Sequence, residues 1–152
     1  MIELIPIWPT SEANADLKTD TESSEILDMT LNYYKVIGFN TPWIGYFVSR
    51  DGKLVGSAGF KGAPANNRVE IAYGTFEAER GKGIGTETCR ELVKLALLQD
   101  SSVVITARTL PEENHSTKIL RKNSFTFVGS VMDPEDGEVW EWMYNGELKM
   151  EN

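Results

Sequence analysis

Residues 80–86 read Arg80-Gly81-Lys82-Gly83-Ile84-Gly85-Thr86, with three glycines within five residues and two cations among them. Glycine permits positive φ and a close approach of the main chain to a ligand. A helix pattern follows at once, so the loop's amides lack partners one turn earlier and carry the partial positive charge of a helix start. Such a segment is a cradle for an anion, and phosphate or pyrophosphate suits it best. Two nucleotide-binding signatures do not fit. No Gly-Lys-Ser/Thr closes a four-residue gap, and Gly-x-Gly-x-Gly differs from Gly-x-Gly-x-x-Gly. Other reactive residue types are sparse. His115 is the single histidine, which leaves it no metal-site partner, and it reads as a surface or cap residue. Cys89, the single cysteine, falls on the helix after the cradle. With no histidine placed to activate it, it reads as a small buried hydrophobe.

The cradle needs a strand before it and a helix after it, and the flanking text supplies both. Residues 68–76 have strand character, while in 83–99 Ile84, Thr88, Leu92, Leu95 and Ala96 fall on one helical stripe. Upstream, two apolar runs at 43–50 and 54–61 flank Asp51-Gly52, a hairpin signal. A helix is expected from Thr21 to the stop at Gly38, preceded by a proline-weakened strand at 2–8. Downstream come a β-branched strand at 102–109, a short helix at 114–122 and two strands about residues 133–137. A strand, helix and strand over 68–109 imply a right-handed parallel crossover inside an otherwise antiparallel sheet. The expected class is α/β (α+β): a mixed, mostly antiparallel sheet with helices on both faces.

At 152 residues the chain fits a single domain spanning 1–152. A formal charge of −8 argues against nucleic acid as a partner, because phosphate neutralisation needs a basic face. No run approaches the roughly 18 apolar residues that would span a bilayer, so no membrane is expected. One cysteine and no secretory pattern point to the cytoplasm. Monomer and homodimer both remain open. Of Trp8, Trp43, Trp140 and Trp142, most should pack in hydrophobic clusters; Trp140 and Trp142 share a strand face that could wall a pocket.

Together these residues resemble the GNAT superfamily of N-acetyltransferases. Arg80-Gly81-Lys82-Gly83-Ile84-Gly85 matches its Arg/Gln-x-x-Gly-x-Gly/Ala motif, and Val69-Glu70-Ile71-Ala72-Tyr73-Gly74-Thr75-Phe76 is similar to its fourth strand. The segment from Asn114 to Phe125, with Ser116, Leu120 and Lys122, resembles a helix of the branch that acetylates ribosomal-protein N-termini. The resemblance implies an acyl-CoA N-acyltransferase fold, acetyl-CoA as donor and a primary amine of a small molecule or peptide as acceptor. It implies that the main chain of Tyr73, Gly74, Thr75 and Phe76 pairs with the pantetheine arm, and that amides from Gly81 to Thr86 hold the pyrophosphate. Anchored on Phe125, the family asparagine falls at Glu113, with Asn114 one place later, so either is a candidate for the coenzyme. Ser124 replaces the family glycine. Leu120 or Arg121 stands where many members place a tyrosine as acid toward the departing thiolate, and the general acid is unassigned.

Direct transfer requires a neutral amine. A lysine-like amine near 10.4 is disfavoured by roughly 4.6 kcal/mol at pH 7, whereas an α-amine costs about 1 kcal/mol. A base is therefore useful, and Glu70, ten residues before Arg80 on the strand beside the cradle, is the candidate. It would need burial to raise it, or a water to act through. The alternative is a non-catalytic acyl-CoA-binding module, which keeps the cradle and loses the base.

Overall fold

The computed structural model describes residues 1–146; residues 147–152 of the expected domain lie outside the described residues. The chain runs β1 (Ile2–Pro6), α1 (Thr21–Ile37), β2 (Gly45–Arg50), β3 (Lys53–Phe60), β4 (Arg68–Thr75), α2 (Ile84–Gln99), β5 (Val104–Thr109), α3 (His115–Lys122), β6 (Phe125–Asp133) and β7 (Gly137–Tyr144). A short 3-10 helix, Glu12–Leu17, lies between β1 and α1. Local chemistry sets these boundaries. Asp20 accepts from the Ser23 amide to start α1, and Gly38 ends it at φ 84°. Asp51 and Gly52 turn the β2–β3 hairpin with φ of 54° and 79°, the left-handed pair that two-residue hairpins require. The run at 2–8 ends as a strand at Pro6.

Among the described residues seven strands form one sheet in the order β1-β2-β3-β4-β5-β7-β6, antiparallel throughout except for β4 beside β5. Placing β7 between β5 and β6 leaves β6 at the edge. Sequence alone does not specify that order. The core joins Phe47, Val48, Ile71, Leu92, Ile105 and Trp142, each 2% exposed or less. Alternation along β4 buries Val69 and Ile71 on one side and turns Glu70, Ala72 and Gly74 to the other. α2 packs against β4 on the first side, where Cys89 meets Tyr73. α1 lies over the second. Tyr34 ties it to the gap between β1 and β2, donating to the Ile7 carbonyl at 2.7 Å and accepting from the Gly45 amide at 2.9 Å. No described helix is long and apolar enough to cross a membrane.

Candidate active site

Two features of the backbone meet at the start of α2. Gly81 and Gly83 hold φ of 82° and 78°, and Gly83 is the helix cap in the left-handed region. Such geometry costs an L-residue roughly 1–2 kcal/mol and costs glycine almost nothing. The first helical bond runs from the Glu87 amide to the Gly83 carbonyl at 3.2 Å. Six successive amides, Gly81 to Thr86, therefore find no acceptor among the described residues. Gly81, Lys82 and Gly83 are exposed, whereas Ile84 and Gly85 are buried. A Cβ on residue 85 would come within 2.7 Å of Ile119 Cδ1, the tip of a side chain on α3. The two expected cations differ. Lys82 is bonded to Glu79 at 2.9 Å, a carboxylate also held by Lys53 at 2.8 Å, while Arg80 is exposed.

The second feature is a seam that opens. β4 pairs with β5 only over Arg68, Glu70 and the residue between them, against Val104–Thr106. Beyond Glu70, among the described residues, Ile71 to Thr75 pair with β3 alone, and Ala107 to Thr109 pair with β7 alone. Each strand thus presents an unpaired edge to the other, and the edge of β4 leads towards the cradle. Tyr73 is partly buried, Gly74 exposed, Thr75 partly buried and Phe76 buried. An extended ligand segment could pair with this edge as a missing strand would.

Glu70 stands where the seam begins to part and faces a cleft of about 910 Å³ between α1, β3, β4 and the β6–β7 turn. Two cations stand beside its carboxylate. Oε2 lies 2.8 Å from Lys61 Nζ and Oε1 lies 3.8 Å from Arg108 Nε. Arg108 also bonds Asp133 at 2.9 Å and Glu141 at 3.3 Å, and Glu141 reaches Arg68 at 3.3 Å. Backbone amides of Glu135 and Asp136, then Arg108, hold the Asp133 carboxyl at about 2. Burial pulls the Lys61 ammonium down, but its bond to Glu70 and the charges of Glu70 and Asp133 outweigh this and leave it raised.

The remaining candidates separate clearly. Asn114 caps α3: its side chain accepts from the Thr117 amide at 3.1 Å, and Thr117 Oγ1 accepts from the Asn114 amide at 3.0 Å. Ser116 and His115 are exposed on the first turn. Glu113 is paired with Arg121. α3 reaches the cradle through Asn123, which donates to the Thr86 carbonyl at 3.2 Å. Cys89 is fully buried, and burial pushes its thiol up to about 12, as suits a packing role. Trp43 packs edge-on against Phe60, and Trp140 and Trp142 pack with Phe127, with Arg121 lying 4.9 Å from the Trp142 ring centre. Neither Trp140 nor Trp142 lines the cleft. Trp8 is 43% exposed beside Phe39.

The model of the acetyltransferase (GNAT) domain matches residues 8–126. The chain belongs to the GNAT family. An uncharacterized N-acetyltransferase of Bacillus subtilis (strain 168), YjdG, is 32% identical over 109 residues, covering 70% of this chain. The chain spans about 60% of the length of that curated relative. Among solved structures, a spermidine N-acetyltransferase chimera of SpeG from Vibrio cholerae and hSSAT shares the fold at TM-score 0.72 and 10% identity, covering 99% of both chains. The aminoglycoside acetyltransferase AAC(6')-Ib, solved with coenzyme A and kanamycin, matches at TM-score 0.69 and 16% identity, covering 100% of this chain and 98% of that one. RimL, a ribosomal alpha-N-protein acetyltransferase solved with coenzyme A, matches at TM-score 0.67 and 14% identity, covering 93% of this chain and 92% of that one. Within this GNAT domain the cradle and Glu70 were visible from sequence, whereas Lys61, Arg108 and Asp133 were not. Lys61 carried a usable signal, since it extends the β3 run and falls opposite Glu70 once the hairpin register is drawn. Arg108 and Asp133 meet Glu70 only through the pairing of distant strands.

Proposed function

We propose that the chain transfers an acetyl group from acetyl-CoA to a primary amine. The observation that carries this reading is the run of six amides from Gly81 to Thr86 that find no acceptor among the described residues, continuous with the open edge of β4 that leads back to Glu70. Free amides beside an open strand edge suit a donor that carries a pyrophosphate on an extended arm. In the proposal the amides of Gly81, Lys82, Gly83, Ile84, Gly85 and Thr86, with Arg80 beside them, hold the pyrophosphate. The main chain of Tyr73, Gly74, Thr75 and Phe76 aligns the pantetheine arm, and Asn114 and Ser116 at the start of α3 flank it. When bound, the donor supplies an activated thioester. Membership of the GNAT family and the activities named for its relatives support the same reading.

Glu70 is proposed to accept the proton of the incoming amine, directly or through one water. Glu70, Asp133, Glu135 and Asp136 line the cleft with Lys61 against them, which favours a cationic acceptor such as a polyamine, an aminoglycoside or a basic N-terminus. A cytoplasmic setting, where acetyl-CoA is made and used, accords with this. One observation favours the competing reading of a binding module without catalysis: both oxygens of Glu70 already face cations. Coenzyme-dependent thiol release across a panel of amines, beside calorimetry with acetyl-CoA, separates the two. Binding with thiol release supports the transferase. Binding without release for any amine supports the module.

A further inference from the structure

If Glu70 is the base, its geometry fixes where the acceptor amine must stand. A base takes a proton from a group about 2.6–3.2 Å from its oxygen. Beside Oε2 that place is filled, because Lys61 Nζ lies 2.8 Å away. The strand register holds it there: the Lys61 amide donates to the Glu70 carbonyl at 2.9 Å, continuing the β3–β4 ladder by one step. Lys61 is itself a primary amine, and it lines the same cleft as the exposed main chain of Ala72 and Gly74. The other neighbour of Glu70 is Arg108, whose guanidinium stays protonated and cannot act as a nucleophile. Of the two cations on the carboxylate, only the lysine can take an acyl group.

We infer that Lys61 is an internal acetyl acceptor, a modification site that occupies the subsite of the external amine and is acetylated by acetyl-CoA when no such amine is present. The inference rests on the proposed function. Neutral Lys61 Nζ attacks the thioester carbonyl carbon, so a C–N bond forms as the C–S bond breaks. The amine proton passes to Glu70 and on to solvent, and coenzyme A departs as the thiolate and takes a proton from water. Nothing is oxidised or reduced. The product amide is uncharged, so Oε2 of Glu70 becomes available to an incoming ammonium and the cleft loses a cation. Glu70 on β4, Asp133 at the β6–β7 turn and Tyr33 on α1 all face the Lys61 amine. The two carboxylates favour its charged form, so the modification is slow at neutral pH and accelerates as pH rises.

The test uses the full chain and acetyl-CoA alone, followed by intact mass and by peptide mapping. The expected result is one acetyl group per chain at Lys61. Its rate constant is independent of protein concentration, it is suppressed by excess free coenzyme A, and in Lys61→Arg only the slow labelling of exposed lysines remains. Non-enzymatic acetylation follows exposure instead. It would favour Lys53, Lys94 and Lys82, whose side chains are 69%, 64% and 53% exposed, over Lys61 at 39%. Lys61 should nevertheless be labelled at least about tenfold faster than Lys94, since the inference puts the Lys61 amine within reach of the thioester. Labelling that tracks exposure overturns the inference. So does an unlabelled Lys61 in a chain that binds acetyl-CoA and releases thiol with external amines, an outcome that leaves the proposed function standing. Failure to bind acetyl-CoA at all overturns both.

Discussion

Replacing Gly83 with valine puts a β-branched residue where the chain holds φ 78° and ψ 8°. A Cβ there would meet nothing within 4 Å, so the cost is conformational rather than steric. An L-residue in this region costs roughly 1–2 kcal/mol, and a β-branched one lies at the upper end. For a domain of this size each 1 kcal/mol is about 2–4 °C in Tm, so a variant that keeps the geometry melts roughly 2–8 °C lower. The alternative is that residue 83 leaves the left-handed region, which rotates the flanking peptide units and turns one or two of the cradle's amides aside. Losing one charge-assisted hydrogen bond of roughly 1.5–3 kcal/mol raises the Kd for acetyl-CoA by about 10- to 100-fold. Calorimetric melting without ligand and titration with acetyl-CoA read the two outcomes separately. Gly85→Ala is the contrast: the clash at 2.7 Å is with the flexible tip of Ile119, and alanine gains about 1 kcal/mol of helix propensity over glycine, so its Tm should move little. A folded Gly83→Val chain with unchanged Tm and unchanged Kd would refute the reasoning.

Three further outcomes are expected. Glu70→Gln should leave acetyl-CoA affinity nearly intact and lower turnover of an external amine by roughly 10²–10⁴-fold at neutral pH; wild-type turnover would leave catalysis to proximity alone. Asp133, held at about 2 against an ordinary 3.8, contributes stability that is present above 3.8 and lost as pH falls towards 2. Urea unfolding between pH 5 and 2 should therefore show a shallower decline in Asp133→Ala than in the parent chain. Tyr34→Phe strands the Ile7 carbonyl and the Gly45 amide, which the hydroxyl bonds at 2.7 and 2.9 Å, and should cost about 1–3 kcal/mol by denaturant titration with no change in coenzyme affinity.

The parts of the molecule legible in the sequence are those whose cause is local. The stop of α1 at Gly38, the Asp51-Gly52 turn and the cradle before Ile84 each depend on a backbone preference of the residue standing there, and each falls where its chemistry puts it. Glu70 was legible as a carboxylate near the cradle because strand periodicity and distance along the chain suffice for that. Its surroundings were not. Whether a strand carboxylate meets apolar side chains or Lys61 and Arg108 depends on which strands become neighbours, and a pairing such as Thr106 with Met143 leaves no local pattern. The same holds for Asn114. Its type suits a ligand contact and a helix cap equally, and only the bond to the Thr117 amide shows the cap in use. The 3-10 turn at Glu12–Leu17 was hidden because its anchor is the burial of a single polar side chain, Asn14, which bonds the Trp8 amide and the carbonyls of Trp8 and Thr10.

The short seam between β4 and β5 also divides the folding problem. Residues up to Thr75 build all of β1 to β4, and residues from Val104 to Tyr144 build all of β5, β7 and β6. Each half can form its ladders without the other. What joins them edge to edge is one set of three residue pairs, such as Val69 with Ile105, brought together across the whole of α2. Loop closure over that span is an entropic cost that grows only slowly with length, so inserting residues in the α2 connections should burden assembly far less than weakening the seam itself. Leaving strand residues unpaired beyond Glu70 thus makes the centre of the sheet its least cooperative place.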